Sequence, residues 1–298
     1  MSEGNWRPAF IVGPGRSGST LLYKLLCLHR DVGFISNYDE KFMRFPFVSK
    51  IADDFLCSPK ARAYAWFDHG GGAYYLNRSF YKKVVPTPVE GERLFRECSL
   101  DMGRAMASDA SISGDIRDLL SRLQRQKNKR VIVVKRTALN KSIPLLHRTF
   151  PDARFVYLIR DGRSVVNSLL KVYWWPETPL PWADWQTPSE LEKNGMDKVS
   201  IASKTWLAGV EYAEFGLSNV PADRVFKIRY EDLLDNPHEW ISSLMKFLGV
   251  EDVREYMDTF RMMNISNKHG GWTNKFSPDE LNVMEHIQGE KLIEYGYM

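Results

Sequence analysis

The chain has 298 residues, of which 44% are hydrophobic and 26% charged, and its formal net charge is +4. This composition is typical of a globular protein with a sizeable core, and no apolar run approaches the roughly 20 residues of a membrane span. The mild positive charge suits a small anionic ligand. It lacks the basic stripe of a nucleic-acid-binding protein, so we expect no nucleic-acid partner.

The cysteines and the first residues of the chain indicate a cytoplasmic protein. Cys27, Cys57 and Cys98 form neither a CxxC pair nor a metal-ligand spacing, so we interpret them as reduced thiols. The first eight residues lack the basic and apolar regions of a signal peptide. No His, Cys, Asp or Glu spacing is typical of a metal site, so we expect no metal.

The most informative segment follows the first predicted strand, residues 10–12, and precedes a predicted helix over 20–28. Its frame Gly13-x4-Gly18-x-Thr20 has the spacing of a Walker phosphate loop. Glycines that turn backbone amides inward and the positive end of a helix dipole together bind phosphate or sulfate. Ser19 stands where a nucleotide triphosphatase has lysine, which argues against ATP or GTP hydrolysis.

Later elements alternate between strands and helices. Apolar, β-branched or aromatic runs predict strands, and helical periodicity falls between or after them. This alternation predicts an α/β, P-loop-like three-layer fold with a central, mostly parallel sheet flanked by helices. The predicted strands are 131–134, 155–159 and 225–228, and the helices are 116–126, 142–150, 163–172, 199–217 and 238–247.

Two aromatic-rich segments, at about 38–100 and 173–198, interrupt this rhythm. Without repeats or linker-like stretches, we expect one domain over 1–298, with both segments shaping an acceptor site. The second segment begins with Tyr173-Trp174-Trp175-Pro176, whose tryptophan and proline density predicts an ordered loop. That loop is either a satellite hydrophobic cluster or a wall or lid for a ligand.

A second motif lies at the end of the strand over 155–159. Arg160 follows this strand, and Ser168 lies eight residues on in the next predicted helix. A guanidinium and a hydroxyl placed in this way suit a phosphate group. Together with the first loop, the motif predicts a ligand with two separate anionic groups.

These two motifs resemble those of the sulfotransferases that use 3′-phosphoadenosine-5′-phosphosulfate (PAPS). Pro-Gly-Arg-Ser-Gly-Ser-Thr-Leu-Leu, at 14–22, looks like their 5′-phosphosulfate loop, and residues 150–168 are similar to their 3′-phosphate segment. Val134-Lys135-Arg136 with Asn140, the stretch 229–237 and the closing segment 272–297 agree in order and spacing. The arginine in the first loop is closer to the bacterial carbohydrate and small-molecule enzymes and to the protein-tyrosine enzymes.

The resemblance implies transfer of a sulfuryl group, in line, from PAPS to a hydroxyl of a small-molecule, glycan or glycolipid acceptor, without a metal. Adenosine 3′,5′-bisphosphate is then the product. Arg16 would stabilise the leaving group and Lys135 would contact the sulfuryl group. The implied nucleotide-binding residues are Gly15, Arg16, Ser17, Gly18, Ser19, Thr20, Arg160, Ser168, Tyr230 and Lys268.

The general base is expected at the mouth of the first loop. The protein-tyrosine enzymes have a glutamate at a similar location, which predicts Glu40, then Asp39, with His69 as a further candidate. His29 matches a helix-ending histidine of the family and is predicted to be structural. The alternatives are a P-loop small-molecule kinase and a non-catalytic nucleotide-binding protein of the same fold.

Overall fold

The computed structural model describes residues 6–56, 58–67, 84–98, 110–250, 254–261, 263, 265 and 271–298. Within this part of the chain, five parallel strands form one sheet in the order β2-β3-β1-β4-β5. The strands are β1 (Arg7–Val12), β2 (Val32–Phe34), β3 (Val131–Lys135), β4 (Arg154–Ile159) and β5 (Val225–Arg229). The predicted strands are confirmed, and β2 is an addition.

The strands are connected by helices that lie on both faces of the sheet. The α-helices of the described residues are α1 (Ser19–Leu26), α2 (Asn37–Lys41), α3 (Pro46–Phe55), α4 (Pro59–Trp66), α5 (Glu92–Glu97), α6 (Ala110–Lys127), α7 (Ile143–Thr149), α8 (Gly162–Leu169), α9 (Pro188–Lys193), α10 (Lys198–Leu217), α11 (Tyr230–Asp235), α12 (Pro237–Leu248), α13 (Arg254–Arg261) and α14 (Pro278–Glu294). Short 3-10 turns occur at Thr137–Ser142, Trp175–Glu177, Pro181–Ala183 and Ala222–Arg224.

Alternate residues of each strand supply two hydrophobic cores. Phe10 of β1 and Phe155 of β4 face a core completed by α6, α7, α8, α10 and α14. Ile11 and Val156, one residue on, face a second core completed by α1, α4, α11, α12 and α13. Both faces of β1, β3 and β4 are buried, which is why these strands are continuous apolar runs, whereas β5 lies at the edge of the sheet and exposes Lys227. The result is the predicted three-layer arrangement.

The carboxyl ends of the strands carry the segments that the sequence marks as functional. Gly13 follows β1, Arg136 follows β3, Arg160 follows β4 and Tyr230 follows β5. Ligands of open α/β sheets bind at this edge. Among the described helices, none combines the length and apolar character needed to cross a bilayer.

Candidate active site

The loop between β1 and α1 packs closely against two neighbouring segments. Gly13 has a φ of 133°, and a Cβ there would lie 2.1 Å from the carbonyl oxygen of Leu158. Gly18 has a φ of 84°, and a Cβ there would lie 2.1 Å from Cε2 of the Tyr230 ring. Both positions require glycine, because any other residue would combine a strained backbone with a clash. The close packing fixes the path of the loop into α1, whose positive end faces it.

Two donors at this loop have no hydrogen-bond partner among the described residues. They are the hydroxyl of Ser17, which is fully buried, and Nε of Arg160. A buried polar atom left without a partner costs about 1–3 kcal/mol. Since both atoms donate, an anion accepting from them would remove that cost, and the residues fit the predicted phosphate ligand.

The two predicted nucleotide motifs meet at this place. Arg16 donates through Nε to the hydroxyl of Ser168 at 3.1 Å. Arg160 donates through Nη1 to the carbonyl of Arg16 at 3.3 Å, and its guanidinium lies 4.6 Å from the centre of the Tyr230 ring. The structure therefore brings the first loop, the second motif and Tyr230 together, although they are far apart in sequence.

Asn140 holds the start of the loop from the other side. The Gly13 N–H donates to Asn140 Oδ1 at 3.0 Å, and Asn140 Nδ2 donates to the Gly13 carbonyl at 2.8 Å. The amide satisfies a buried donor and a buried acceptor at once. Asn140 lies in the 3-10 turn that follows β3, so this pair of bonds also links β1 to the β3 loop.

A cavity of about 500 Å³ opens beside the loop. Its lining includes nine of the predicted site residues, namely Gly15, Arg16, Gly18, Ser19, Thr20, Lys135, Arg160, Ser168 and Tyr230. Aromatic and apolar side chains complete it, among them Trp174, Leu180, Trp182 and Tyr212. The cavity is thus charged where the loop lies and apolar elsewhere.

Side chains of the segment 173–198 contribute both to the core and to the cavity, and its role in acceptor binding stays a prediction. Trp175 and Leu180 are buried and belong to the larger core, as a satellite cluster requires. Trp174 and Trp182 line the cavity, as a ligand wall requires. Trp182 is fixed by a hydrogen bond from its Nε1 to the hydroxyl of Thr205 at 3.0 Å.

Lys135 is buried at the end of β3 and forms an ion pair with Glu90. Glu90 is the one carboxylate among the described residues that line the cavity. Its side chain is 46% exposed, so one side meets the lysine while the group stays accessible. Sequence reasoning missed Glu90, because it lies in a non-periodic stretch and no motif surrounds it.

Asp39 and Glu40, the predicted bases, do not line this cavity. Asp39 is the third residue of α2, where its carboxylate accepts from the Ser36 N–H at 2.7 Å and completes a capping box. Burial would raise the pKa of Asp39, but the Lys127 ammonium, 2.8 Å away, and hydrogen bonds from Ser49 and Ser36 hold the pKa below its usual value. Asp39 is therefore a structural carboxylate, which corrects its assignment as a base.

Glu40 is half-buried on the adjacent position of α2. It accepts from the backbone N–H of Arg93 at 3.1 Å, and burial raises its pKa. This contact fixes Glu40 against Arg93 at the start of α5, three residues after the cavity-lining Glu90. Glu40 is not among the residues that line the cavity beside Lys135.

The remaining predicted residues fall into two groups. His29 is buried, and its Nδ1 accepts from the Asp31 N–H at 3.1 Å while its ring lies 5.6 Å from that of Tyr256. These contacts give His29 the structural position that was expected. His69 and Lys268 lie outside the described residues.

Comparison with known proteins identifies the family. The sequence model of the sulfotransferase family matches residues 8–255. The chain is 23% identical, over 313 residues, to the omega-hydroxy-beta-dihydromenaquinone-9 sulfotransferase Stf3 of Mycobacterium bovis, covering 97% of this chain and 75% of that relative. Sulfotransferase STF1 of Mycobacterium tuberculosis superposes with a TM-score of 0.58 at 16% identity, covering 96% of this chain and 77% of the other. The sulfotransferase domain from the curacin biosynthetic pathway gives a TM-score of 0.53 at 19% identity, covering 97% and 98%.

Fold and site together define an α/β protein whose central strand ends in a glycine-containing loop beside a cavity. Because the family match spans most of the chain, the protein belongs to the sulfotransferase family. The predicted fold class and enzyme class are confirmed. A P-loop kinase and a non-catalytic protein are not favoured. Among the described residues, no group of three His, Cys, Asp or Glu side chains could hold a metal.

Proposed function

We propose that the protein transfers the sulfuryl group of PAPS to a hydroxyl of an acceptor whose body is apolar. The observation that carries this proposal is the cavity itself, which joins an anion-binding loop, a lysine–carboxylate pair and an aromatic wall. Each of the three parts corresponds to one requirement of sulfuryl transfer: a held donor, proton removal from the acceptor and a place for the acceptor.

The donor supplies a sulfuryl group on a phosphate that leaves as part of adenosine 3′,5′-bisphosphate. Ser17, the loop amides and the start of α1 would hold the 5′-phosphate, and Arg16 would stabilise the charge that develops on the leaving oxygen. Arg160, which follows β4, and Ser168 of α8 would hold the 3′-phosphate, since both contact Arg16. Cations of the chain supply the charge stabilisation, and we propose that no metal takes part.

Glu90 is proposed as the general base. Its carboxylate accepts the proton of the acceptor hydroxyl as the acceptor oxygen bonds to sulfur, and the bond from sulfur to the phosphate oxygen breaks. Lys135, paired with Glu90, orients the carboxylate and presents its positive charge to the sulfuryl oxygens. In this proposal Glu90 accepts the proton and Lys135 stabilises the transferred sulfuryl group, and the two side chains are in contact.

The acceptor is proposed to carry an apolar body and a single reacting hydroxyl. The cavity wall is rich in tryptophan and leucine, and such a wall removes apolar surface from water. The relative Stf3 is named for a hydroxylated menaquinone, which is an acceptor of this kind. Lys141, whose Nζ lies 4.2 Å from the centre of the Tyr212 ring, adds a cation to the same wall.

The donor proposal is tested by thermal stability with adenosine 3′,5′-bisphosphate or ATP–Mg. A ligand that binds only the folded state stabilises it by mass action. We expect a concentration-dependent rise in melting temperature with the bisphosphate. A rise with ATP–Mg alone would contradict PAPS as donor.

The base and the acceptor class are tested with 35S-labelled PAPS and an extract of host metabolites, followed by partition into organic solvent. We expect label in the organic phase. Label found only in the aqueous phase would refute the apolar acceptor while leaving the donor intact. Glu90→Gln should lower the rate about 10²–10⁴-fold with bisphosphate binding retained, whereas the control Glu40→Gln should stay within about twofold of the wild type. The reverse result would return the role of base to Glu40.

A further inference from the structure

Helix α3 turns its polar side toward the protein. Ser49 is buried and donates to Asp39 Oδ1 at 2.5 Å, and Asp53 forms an ion pair with the buried Lys127. Gln126 adds a hydrogen bond from its Nε2 to the carbonyl of Pro46 at 2.9 Å. These contacts fix the rotation of the helix, because any other rotation would separate the buried charges.

The opposite side of α3 is apolar and faces outward. Phe47, Ile51 and Phe55 are 62%, 66% and 84% exposed, and their spacing of four residues places them in one stripe. Phe45, 57% exposed, extends the stripe, since its ring centre lies 6.3 Å from that of Phe47. A surface helix ordinarily has the reverse arrangement. A contiguous exposed apolar patch marks an interaction site.

Three exposed cations lie close to this stripe in sequence. Lys41 and Arg44 precede Phe45, Lys50 lies within α3, and all three side chains are exposed. None of these three side chains forms an ion pair with an acid of the described residues. Helix α3 also has one exposed acid, Asp54. The local charge along this segment is therefore positive.

We propose that the α3 stripe, formed by Phe45, Phe47, Ile51 and Phe55 with the cations Lys41, Arg44 and Lys50, docks the protein on an anionic lipid bilayer. Aromatic and aliphatic side chains enter the boundary between headgroups and acyl chains, while lysine and arginine bind the anionic headgroups. A second copy of the chain is a poorer occupant, because a two-fold interface would bring the same cations together.

The test is co-sedimentation of the purified full chain with vesicles of phosphatidylcholine alone or with 30% phosphatidylglycerol. We expect binding to the anionic vesicles that weakens between about 50 mM and 500 mM salt, as screening requires. The triple variant Phe47→Ser, Ile51→Ser, Phe55→Ser should lower the partition coefficient at least about tenfold. The control Phe215→Ser replaces an aromatic residue of α10 that is 76% exposed, and it should bind as the wild type does.

A second variant separates charge from apolar insertion. Lys41→Glu, Arg44→Glu, Lys50→Glu should lower binding to anionic vesicles at least about a hundredfold, from a contribution near a factor of five for each of the three cations. Circular dichroism and bisphosphate binding check that each variant is folded. Absence of wild-type binding to anionic vesicles, or equal binding by the triple serine variant, overturns the proposal. A wild-type dimer that the serine variant converts to a monomer, without vesicle binding, assigns the stripe to a second copy and also overturns it.

Discussion

Replacing Asn140 by alanine should destabilise the protein and weaken nucleotide binding together. The amide forms two hydrogen bonds with Gly13, at 3.0 Å and 2.8 Å, and alanine removes both. Each buried group left without a partner costs about 1–3 kcal/mol. Because water can enter from the adjoining cavity, we expect a cost in the lower part of this range for each group. We expect the free energy of unfolding to fall by about 2–4 kcal/mol in urea denaturation.

The same substitution removes the contacts that hold Gly13 in place. Gly13 is the first residue of that loop, so its displacement moves the amides that would hold the 5′-phosphate. We expect the Kd for adenosine 3′,5′-bisphosphate, measured by calorimetry, to rise at least about tenfold, by the sensitivity of such sites to small misplacements. The control is Asn219→Asp or Asn219→Ala at an exposed position, which should leave both quantities unchanged.

The variant Asn140→Asp tests the direction in which the free energy of unfolding changes with pH. Aspartate retains the acceptor for the Gly13 N–H but sets a carboxylate oxygen against the Gly13 carbonyl. Folding then favours the protonated carboxyl, so its pKa is raised above the unfolded value of about 4. The folded state binds more protons, and the free energy of unfolding falls as pH rises through this window. The deficit relative to the wild type should be larger at pH 8 than at pH 5. A stable alanine variant with unchanged bisphosphate affinity would refute the reasoning.

Three further predictions concern the loop, the second motif and the buried carboxylate. Arg160→Ala should raise the KM for PAPS about 10–100-fold with a smaller change in kcat, because contacts remote from sulfur act in ground and transition states alike; an unchanged KM in steady-state kinetics would contradict this. Gly18→Ala should lower the free energy of unfolding by at least about 1 kcal/mol, because its φ is 84° and a Cβ would clash with Tyr230, whereas Gly289→Ala, with open space around the added Cβ, should not. Asp39→Asn should cost about 3 kcal/mol at pH 7, since it leaves a buried lysine with one carboxylate, yet keep kcat per folded molecule. Because the pKa of Asp39 is lowered by folding, its stabilisation is present above the unfolded value of about 4 and is lost as pH falls through the folded one, so urea curves of wild type and variant should converge at low pH.

The strands and the phosphate loop were predictable because their causes are local. A buried parallel strand is a continuous apolar run, and a glycine-rich turn before a helix has its own spacing. Strand β2 escaped prediction because it has three residues, Val-Gly-Phe, and takes its extended form from pairing with β3. A run that short carries too little periodicity to separate it from a loop.

The site residues were predictable where they lie in or beside a motif that follows a strand. Lys135 is the last residue of β3 and Arg160 directly follows β4, so the sheet places them at one edge. Glu90 reaches the cavity from a segment without periodic pattern, and only the folded chain shows its pairing with Lys135. For Asp39 a local signal was present, because Ser36-x-x-Asp39 has the form of a capping box, which assigns that carboxylate to a helix end.

The position of β1 in the middle of the sheet has a consequence for how the chain is made. β1 is synthesised before the other four strands of the described residues, yet its partners β3 and β4 begin at Val131 and Arg154. At a translation rate of about 5–20 residues per second, the first strand that pairs with β1 is translated on the order of ten seconds after β1. During that interval Phe10, Ile11 and Val12 have no sheet to join, so the nascent chain depends on chaperones or on transient local clusters to stay free of aggregation. Any fragment that ends before β4 lacks one of the two strands that pair with β1. The phosphate loop lies within residues 13–20, yet we expect it to bind a ligand only after more than half of the chain has been synthesised.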